Sequence, residues 1–396
     1  MTSTTKTTSP SQSARRRGLV LLATVAAVPA LLVAAVWSAN AYAWDYRSMS
    51  FTVFYAIRGS LIGLLLLATV TAFFVGVVQR PSCVRRTGLW VSAFATLFVL
   101  TLLEGAFMFV PRSHGVGYTL GAQIWQRFYF QERNDLGYRD APHARAADKR
   151  TVLAVGDSFT EGHGIADPAD RYTDRVNATH ADLHLLNVAR CGIDTEEEFR
   201  RLEQHPVEPD AVLLQYYVND VEGAAMRCGW AAPDFQAYAD VDGLAKWLVR
   251  GSFLVNYAYW SYPHADGASY ADMLTRAYAD QEVMKRHFAE LSQFMQYSEQ
   301  RGVPLVVLLF PSLTEPHASR PTLARVRRLF ESRGVTVLDA TDWIVDIPMA
   351  ERLVNSFDAH PSPLVHDLTA AHVGRALQDL WSGTARANRG PVEDTR

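Results

Sequence analysis

The sequence predicts an α/β domain with a parallel sheet, preceded by a block of transmembrane helices. Two observations predict this arrangement. Three stretches of mostly uncharged residues lie within the first 110 residues of the 396-residue chain. Beyond residue 150, short β-branched or apolar runs alternate with helical stretches, the pattern typical of a parallel sheet covered on both faces by helices.

The apolar stretches are residues 18–37, 59–78 and 88–110. Each supplies the roughly 20 residues needed to cross about 30 Å of hydrocarbon, so residues 18–110 are predicted to be a three-helix membrane anchor. Residues 15–17 and the link 79–87 each carry three arginines, whereas the loop 38–57 holds one. The positive-inside rule therefore places the N-terminus and that link in the cytoplasm.

Three crossings place the rest of the chain on the extracytoplasmic side of the membrane. The expected location is therefore a bacterial inner membrane, with the catalytic domain outside the cytoplasm. Residues 1–17 and 383–396 are predicted to be disordered tails, and 111–150 a tether. A cleaved signal peptide is the alternative for the first stretch, because Arg15 and Arg16 resemble a twin-arginine signal.

Charge and cysteine content limit the partners. The net charge is −3 and no basic block occurs beyond the arginines that flank the apolar stretches, which argues against nucleic acid. Cys83 falls in the cytoplasmic link. Cys191 and Cys228 fall in the exported domain, where an oxidising compartment would permit them to form a disulfide.

The domain is predicted to span residues 151–382. Its strands are predicted at 151–155, 183–188, 211–217, 304–310 and 335–338, and its helices at 171–179, 195–205, 321–333 and 364–381. An aromatic-rich, helical insertion, 221–301, separates the third strand from the fourth, and its part 270–300 is predicted to be one long helix that ends at Arg301 and Gly302.

The first predicted strand runs directly into Gly156-Asp157-Ser158-Phe159-Thr160-Glu161-Gly162. A serine at a strand-to-loop turn is the position in which an acyl-transfer nucleophile is usually held. A serine needs a base, and the pairing of a histidine with a carboxylate near the end of the domain, Asp358-Ala359-His360-Pro361, supplies one. These two segments indicate a serine hydrolase.

Four blocks together resemble the GDSL/SGNH hydrolases. They are the segments containing Ser158, Asn187 to Gly192, Tyr217 to Asp220, and Asp358 to Pro361, in that order. The resemblance implies a three-layer, flavodoxin-like domain with a five-stranded parallel sheet and a serine esterase activity. It also implies that Ser158 is the nucleophile, His360 the base and Asp358 its orienting acid. The backbone amide groups of Ser158 and Gly192 and the side chain of Asn219 would bind the oxyanion.

The sequence departs from the family pattern at two positions. Tyr217 stands where the third block usually has glycine, and Phe357 stands where the last block usually has its acid. Asp358 lies two residues before His360, so in an extended segment both side chains point to the same side. Asp339 and Asp342 are the alternatives for the acid.

Several polar residues have simpler interpretations. His163, His366 and His372 are expected to be surface or helix residues, and no metal or cofactor is expected because no histidine or cysteine cluster has metal-ligand spacing. Glu104 lies inside the third apolar stretch, where a carboxylate usually has a partner. Arg58, at the outer start of the second stretch, is the predicted partner in an ion pair.

The resemblance implies hydrolysis of carbon–oxygen esters through an acyl-enzyme. By analogy with membrane-tethered members of that family, the expected substrate is an O-acetylated glycan of the cell envelope, and the expected partners are envelope polysaccharide assembly proteins. Two alternatives remain. The same residues would serve an O-acyltransferase that passes the acyl group to a sugar hydroxyl. A catalytically idle, glycan-binding assembly protein is the second alternative, and the intact Ser158, Asn219 and His360 count against it.

Overall fold

The computed structural model describes residues 84–110, 113–114, 117–122, 134–231, 241–262, 266–355 and 358–382, with six positions between 62 and 70. Its strands of three or more residues are Arg150–Val155 (β1), Leu183–Asn187 (β2), Ala211–Tyr217 (β3), Leu305–Phe310 (β4), Thr336–Asp339 (β5), Leu353–Asn355 (β6) and Asp358–Pro361 (β7). Strands of two residues occur at Ser113–His114 and Gly117–Tyr118.

The helices whose bounds lie in the described part are Val84–Phe107 (α1), Ser158–Glu161 (α2), Tyr172–Thr179 (α3), Thr195–Glu203 (α4), Val221–Arg227 (α5), Gly243–Gly251 (α6), Phe253–Trp260 (α7), Asp266–Ala279 (α8), Gln281–Arg301 (α9), Pro316–Glu331 (α10), Thr341–Ile344 (α11), Met349–Arg352 (α12) and Pro363–Trp381 (α13). A 3₁₀ turn, Pro168–Asp170, precedes α3.

The central sheet has the strand order β2-β1-β3-β4-β5, with every neighbouring pair parallel. Val152 of β1 lies between Leu185 of β2 and Ala211 of β3, which fixes the register. This is the doubly wound, flavodoxin-like order, in which ligands bind outside the carboxyl ends of the strands where the order reverses. Here that point lies between β1 and β3.

Alternate side chains of each strand enter two separate cores. Val152 and Ala154 pack with α3 and α13 on one face, whereas Leu153 and Val155 pack with α4, α9 and α10 on the other. Burial on both faces explains why the strands are almost continuously apolar. The α/β class, the three layers and the five-stranded parallel sheet are therefore confirmed, and the five predicted strands lie within one residue of the observed bounds.

Two helix predictions need correction. The helix predicted at 321–333 begins at Pro316, so Pro321 lies inside it and does not start it. The helix predicted over 270–300 is two helices, because the chain breaks at Asp280. The Asp280 side chain accepts a hydrogen bond from the Val283 amide at 3.0 Å and so caps the start of α9. The predicted end at Arg301 and Gly302 is confirmed, with Gly302 in the left-handed conformation.

The chain divides into two units. The first contains residues 1–112, 118–129 and 236–262, and the second contains 113–117, 130–235 and 263–396. Of the predicted insertion 221–301, residues 236–262 fall in the first unit and the other residues in the second. In that unit the rings of Phe107 and Tyr257 lie 4.5 Å apart, and the Asn256 side chain accepts a hydrogen bond from the Leu120 amide at 2.8 Å.

The predicted partner of Glu104, Arg58, lies outside the described residues, so their ion pair stays a prediction. The Glu104 carboxylate accepts hydrogen bonds from Ser252 Oγ at 2.6 Å and from the Phe253 and Leu254 amides at 2.7 and 3.1 Å. It therefore caps the N-terminus of α7, where unpaired amide groups and the helix dipole favour a negative charge.

The three predicted membrane stretches differ in how many of their residues the structure describes. Stretch 18–37, both tails and most of 59–78 lie outside the described residues, and stretch 88–110 falls largely on α1. Within the part of the chain that is described, no helix combines the length and apolar character needed to cross a membrane.

Candidate active site

Ser158 stands at a sharp turn between β1 and the single-turn helix α2. Gly156 is required there, because a Cβ at this position would collide with the side-chain oxygen of Gln215. The Asp157 side chain caps α2 by accepting a hydrogen bond from the Phe159 amide at 2.9 Å. Gly162 ends the helix with a φ of 78°, a conformation that favours glycine. The turn therefore presents the serine at the carboxyl end of the sheet.

Ser158, His360 and Asp358 form one hydrogen-bonded chain. His360 Nε2 lies 2.8 Å from Ser158 Oγ, and His360 Nδ1 bonds to Asp358 Oδ1. The same carboxylate oxygen also accepts a hydrogen bond from the His360 amide at 3.1 Å. The extended backbone of β7 turns both side chains to one side, as their spacing of two residues predicts. The three residues have the geometry of a nucleophile, a base and an orienting acid.

The environment of His360 favours its charged form. Burial by itself lowers the pKa of this imidazole, but the charge of Asp358 and the hydrogen bond to it act in the opposite direction. The carboxyl groups of Asp157 and Glu161 add to the effect, and the net result is a pKa raised above the usual 6.5. His360 is therefore a stronger base than a free imidazole.

Asp339 and Asp342, the alternatives for the acid, have other surroundings. Asp339 ends β5, and its side chain accepts a hydrogen bond from the Thr341 amide at 2.9 Å. Asp342 is an exposed residue of α11. The carboxylate that bonds to His360 is that of Asp358, which is 3% exposed.

The predicted oxyanion donors follow three adjacent strands. Ser158, Gly192 and Asn219 come after β1, β2 and β3 respectively. Among the described residues, none accepts a hydrogen bond from the Gly192 amide or from the side-chain N–H groups of Asn219. These groups can therefore bind an oxyanion without breaking an existing hydrogen bond.

The loop that carries Gly192 is hydrogen-bonded to the helix that begins at Ser158. Glu161, buried on α2, accepts a hydrogen bond from the Cys191 amide at 2.7 Å. Burial raises the pKa of this carboxyl group, although the hydrogen bond and nearby arginines oppose the effect. Sequence reasoning included Glu161 in the first block without giving it a role. No disulfide joins Cys191 to Cys228 in the structure.

Arg227 connects the loops after β2 and β3. It ends α5, the helix that follows Asn219, and its guanidinium lies 2.7 Å from Asp194, which follows Gly192 by two residues. It also lies 3.0 Å from Glu290 of α9. Glu290 is buried, which by itself would raise the pKa of its carboxyl group, but the nearby His287 imidazole and the ion pair with Arg227 lower this pKa to about 2. The ion pairs therefore fix the two loops to each other and to α9.

Tyr217, the departure from the third block, has a packing role. Its ring stacks on Phe159, with centroids 4.1 Å apart, and Phe159 in turn lies 5.4 Å from the His360 ring. An aromatic pair thus lies beside the base. A glycine at position 217 would leave Phe159 without this contact.

His163 is the clearest residue that sequence reasoning missed, since it was expected to be an unpartnered surface or helix residue. It is 2% exposed, and its Nε2 lies 3.8 Å from Asp358 Oδ2. Its ring centroid lies 4.4 Å from that of His360. Burial, with a smaller contribution from His360, lowers the pKa of His163 to about 3. The 195 residues between His163 and Asp358 hid this proximity in the sequence.

The other two histidines also have defined surroundings. His366 is fully buried in α13, and its Nδ1 accepts a hydrogen bond from the Tyr172 amide at 3.2 Å. Burial lowers its pKa to about 3. His372 stacks on Trp343, with centroids 4.2 Å apart. Both are helix residues, as expected, but His366 belongs to the core.

Residues 134–150, predicted as part of the tether, pack into the α/β unit. Arg139 is 1% exposed, and its guanidinium donates to the carbonyl groups of Gly162 at 3.1 Å and Ile165 at 2.7 Å. Arg171, also buried, donates to the Arg139 carbonyl and to Asp140. The segment therefore braces the turn that follows the nucleophile, a role that its glycines and charges gave no sign of.

Comparisons with known proteins found matches among solved structures. No family model matches the chain, and no curated protein matches it. Solved structures do match, including a lipolytic protein of the G-D-S-L family from Desulfitobacterium hafniense, with 13% identity, a TM-score of 0.35, and coverage of 57% of this chain and 99% of that one. The sequence blocks of the chain resemble those of GDSL/SGNH hydrolases.

Two further matches are esterases. One is the psychrotrophic esterase EstA from Pseudoalteromonas sp., with 14% identity, a TM-score of 0.36, and coverage of 59% of this chain and 98% of that one. The other is a carbohydrate esterase, with 11% identity, a TM-score of 0.35, and coverage of 61% of this chain and 68% of that one.

Proposed function

We propose that the protein is a serine esterase of the GDSL/SGNH type that cleaves carbon–oxygen esters through an acyl-enzyme. The hydrogen-bonded chain from Ser158 through His360 to Asp358 carries the proposal. A serine hydroxyl within 2.8 Å of an imidazole whose other nitrogen bonds to a buried carboxylate is the arrangement that activates a serine.

The chemistry proceeds in two halves. Ser158 Oγ attacks the ester carbonyl and gives its proton to His360 Nε2, while Asp358 stabilises the imidazolium that forms. The amide groups of Ser158 and Gly192 and the Asn219 side chain stabilise the negative oxygen. The tetrahedral intermediate collapses as His360 returns the proton to the leaving alkoxide. Water, activated by His360, then attacks the acyl-serine and releases the acid.

We further propose an O-acetylated glycan of the cell envelope as the substrate. Support comes from the predicted export of the domain, which brings envelope polysaccharides within its reach. An acyltransferase would use the same residues but replace water with a sugar hydroxyl in the second half. Product analysis with and without an acceptor sugar distinguishes the two, because transfer consumes ester without releasing the free acid.

The proposed location is a membrane, with the N-terminus in the cytoplasm and the α/β unit outside it. The arginine distribution around the apolar stretches supports this orientation.

Turnover of p-nitrophenyl acetate by the full chain in detergent tests the activity. Ser158→Ala should lower kcat by roughly 10⁴-fold or more, as expected when a catalytic serine is lost, with unchanged thermal unfolding. Ser332→Ala, which removes an exposed hydroxyl at the end of α10, is the matched control and should turn over normally. Equal rates in Ser158→Ala and wild type would rule out the serine mechanism.

A further inference from the structure

The missed residue His163 belongs to a cluster with the two triad partners of Ser158. His163, Asp358 and His360 each present one ligand atom, and these three atoms all lie within 4.8 Å of one another. Two of the residues, His163 and Asp358, are buried. Two imidazoles and one carboxylate form a ligand set found at zinc sites with three protein ligands, which leave the fourth position for water or another small ligand.

The spacing is close to what a metal ion needs. Three atoms that are no more than 4.8 Å apart lie within about 2.8 Å of a common point. Zinc binds imidazole nitrogen and carboxylate oxygen at about 2.0–2.2 Å. Each side chain would therefore move by less than about 1 Å, within the freedom of side-chain torsions and without a change of backbone.

The local charge also suits a cation. Asp358 contributes a carboxylate, and the carboxyl groups of Asp157 and Glu161 interact electrostatically with His360 from the nucleophile side. The guanidinium of Arg139 acts on His163 in the opposite sense. Borderline-soft divalent ions such as Zn²⁺ fit imidazole ligands better than Mg²⁺ or Ca²⁺, which prefer oxygen.

We propose that His163, His360 and Asp358 form an inhibitory binding site for Zn²⁺. The ion takes a lone pair of His360 and at least one oxygen of Asp358. If it binds Nε2, the base is blocked directly. If it binds Nδ1, the ring proton must reside on Nε2, which then donates to Ser158 Oγ and cannot accept its proton. Either coordination stops the serine from being activated, and chelation restores the original hydrogen bonds.

Two measurements test the site. The first is stoichiometric binding of Zn²⁺ to the full chain in detergent by equilibrium dialysis, with Ser158→Ala as the host so that turnover plays no part. The second is zinc inhibition of p-nitrophenyl acetate turnover and its reversal by EDTA, which rests on the proposed esterase function. If the protein has no esterase activity, only the inhibition measurement is lost, and the binding measurement still tests the zinc site. A wrong esterase assignment can therefore be distinguished from a wrong zinc site.

For each variant, the turnover rate with Zn²⁺ is compared with the rate of the same variant without Zn²⁺. His163→Phe, which keeps a buried ring but removes the ligand, should weaken binding and inhibition at least about tenfold, since changes outside the ligand set alone alter metal affinity by roughly 10–100-fold. His163→Cys, which supplies another zinc ligand, should restore much of the affinity. His317→Ala, at an exposed histidine of α10, is the matched control and should behave as wild type.

The results with the His163 variants decide whether the zinc site exists. Loss of zinc affinity in His163→Phe, with recovery in His163→Cys, supports the site. Equal inhibition constants in wild type and His163→Phe overturn it, because inhibition would then come from zinc bound elsewhere. Absence of stoichiometric binding to Ser158→Ala at millimolar Zn²⁺ overturns it as well. Stronger inhibition by Mg²⁺ than by Zn²⁺ would contradict the assigned ligand chemistry.

Discussion

At the residue scale, the position of the acid depends on backbone conformation. Asp358 precedes His360 by two residues, and the extended backbone of β7 lets one carboxylate oxygen accept both the ring N–H and the main-chain N–H of the histidine. This local arrangement fixes the orientation and tautomer of the base within a single short strand.

Asp358→Asn should lower kcat by roughly 10⁴-fold, because an amide can present an N–H to His360 Nδ1 and thereby favour the wrong tautomer. Asp339→Asn is the matched control, since that carboxylate caps a turn after β5. Asp339→Asn should lower the unfolding temperature and leave kcat within about twofold of the wild-type value. A larger loss of kcat in Asp339→Asn than in Asp358→Asn, at equal folded fraction, would contradict the assignment of the acid.

The raised pKa of His360 sets the pH dependence. The base must be neutral to accept the Ser158 proton, so kcat/KM should fall as the pH drops through a midpoint above the usual 6.5. Because Asp358 is the main source of the upward shift, Asp358→Ala should move the midpoint of its residual activity to lower pH. A midpoint that stays in place in this variant would show that another group titrates.

At the element scale, the site depends on three strand ends and on helices that tie their loops together. Sequence patterns predicted the five strands well, because buried parallel strands are continuous apolar runs. They did not predict which loops contact one another. The contacts of Arg227 with Asp194 and Glu290 join positions 33 and 63 residues apart, and such distances carry no local signal.

Arg227→Met tests whether these ion pairs position the oxyanion loops. It removes charged hydrogen bonds worth roughly 1.5–3 kcal/mol each in favourable cases, so thermal stability should fall. If the loops also lose their geometry, kcat should drop about tenfold with little change in KM. Arg327→Met breaks an exposed Arg–Glu pair of α10 and, as a surface pair is worth roughly 0–1 kcal/mol, should change neither quantity measurably.

A double-mutant cycle with Asn219→Ala separates positioning from general destabilisation. If Arg227 acts through the oxyanion donors, its effect on kcat should be small once Asn219 is gone, and the two losses should not add. Fully additive losses would show that Arg227 supports the fold alone.

At the scale of the whole molecule, much of the account could be predicted from sequence. The α/β class and the strands follow from apolar patterning, and the proposed roles of Ser158, His360 and Asp358 follow from four blocks in order. The division into units could not be predicted, because residues 236–262 contact α1 through Glu104, a partner almost 150 residues away. The packing of residues 134–150 against the turn after Ser158 could not be predicted either. Arginine is usually a surface residue, and nothing in the sequence distinguishes a buried arginine such as Arg139 from an exposed one.

The proposed topology predicts which cysteines an impermeant maleimide reaches in intact cells. Cys228, an exposed thiol of the α/β unit, should be labelled from outside the cytoplasmic membrane. Cys83, in the arginine-bearing link, should be labelled only after the membrane is permeabilised. Cys228→Ser removes the first signal and is the control. Labelling of Cys83 before permeabilisation would reverse the orientation.

Covalent labelling can show whether Ser158 is an activated nucleophile. A fluorophosphonate forms a stable adduct with a serine only when a neighbouring base has activated it. Intact-mass measurement of the treated full chain should show one adduct, and peptide mapping should place it on Ser158. His360→Ala should label far more slowly. An adduct on another serine, or equal labelling of His360→Ala and wild type, would contradict the proposed mechanism.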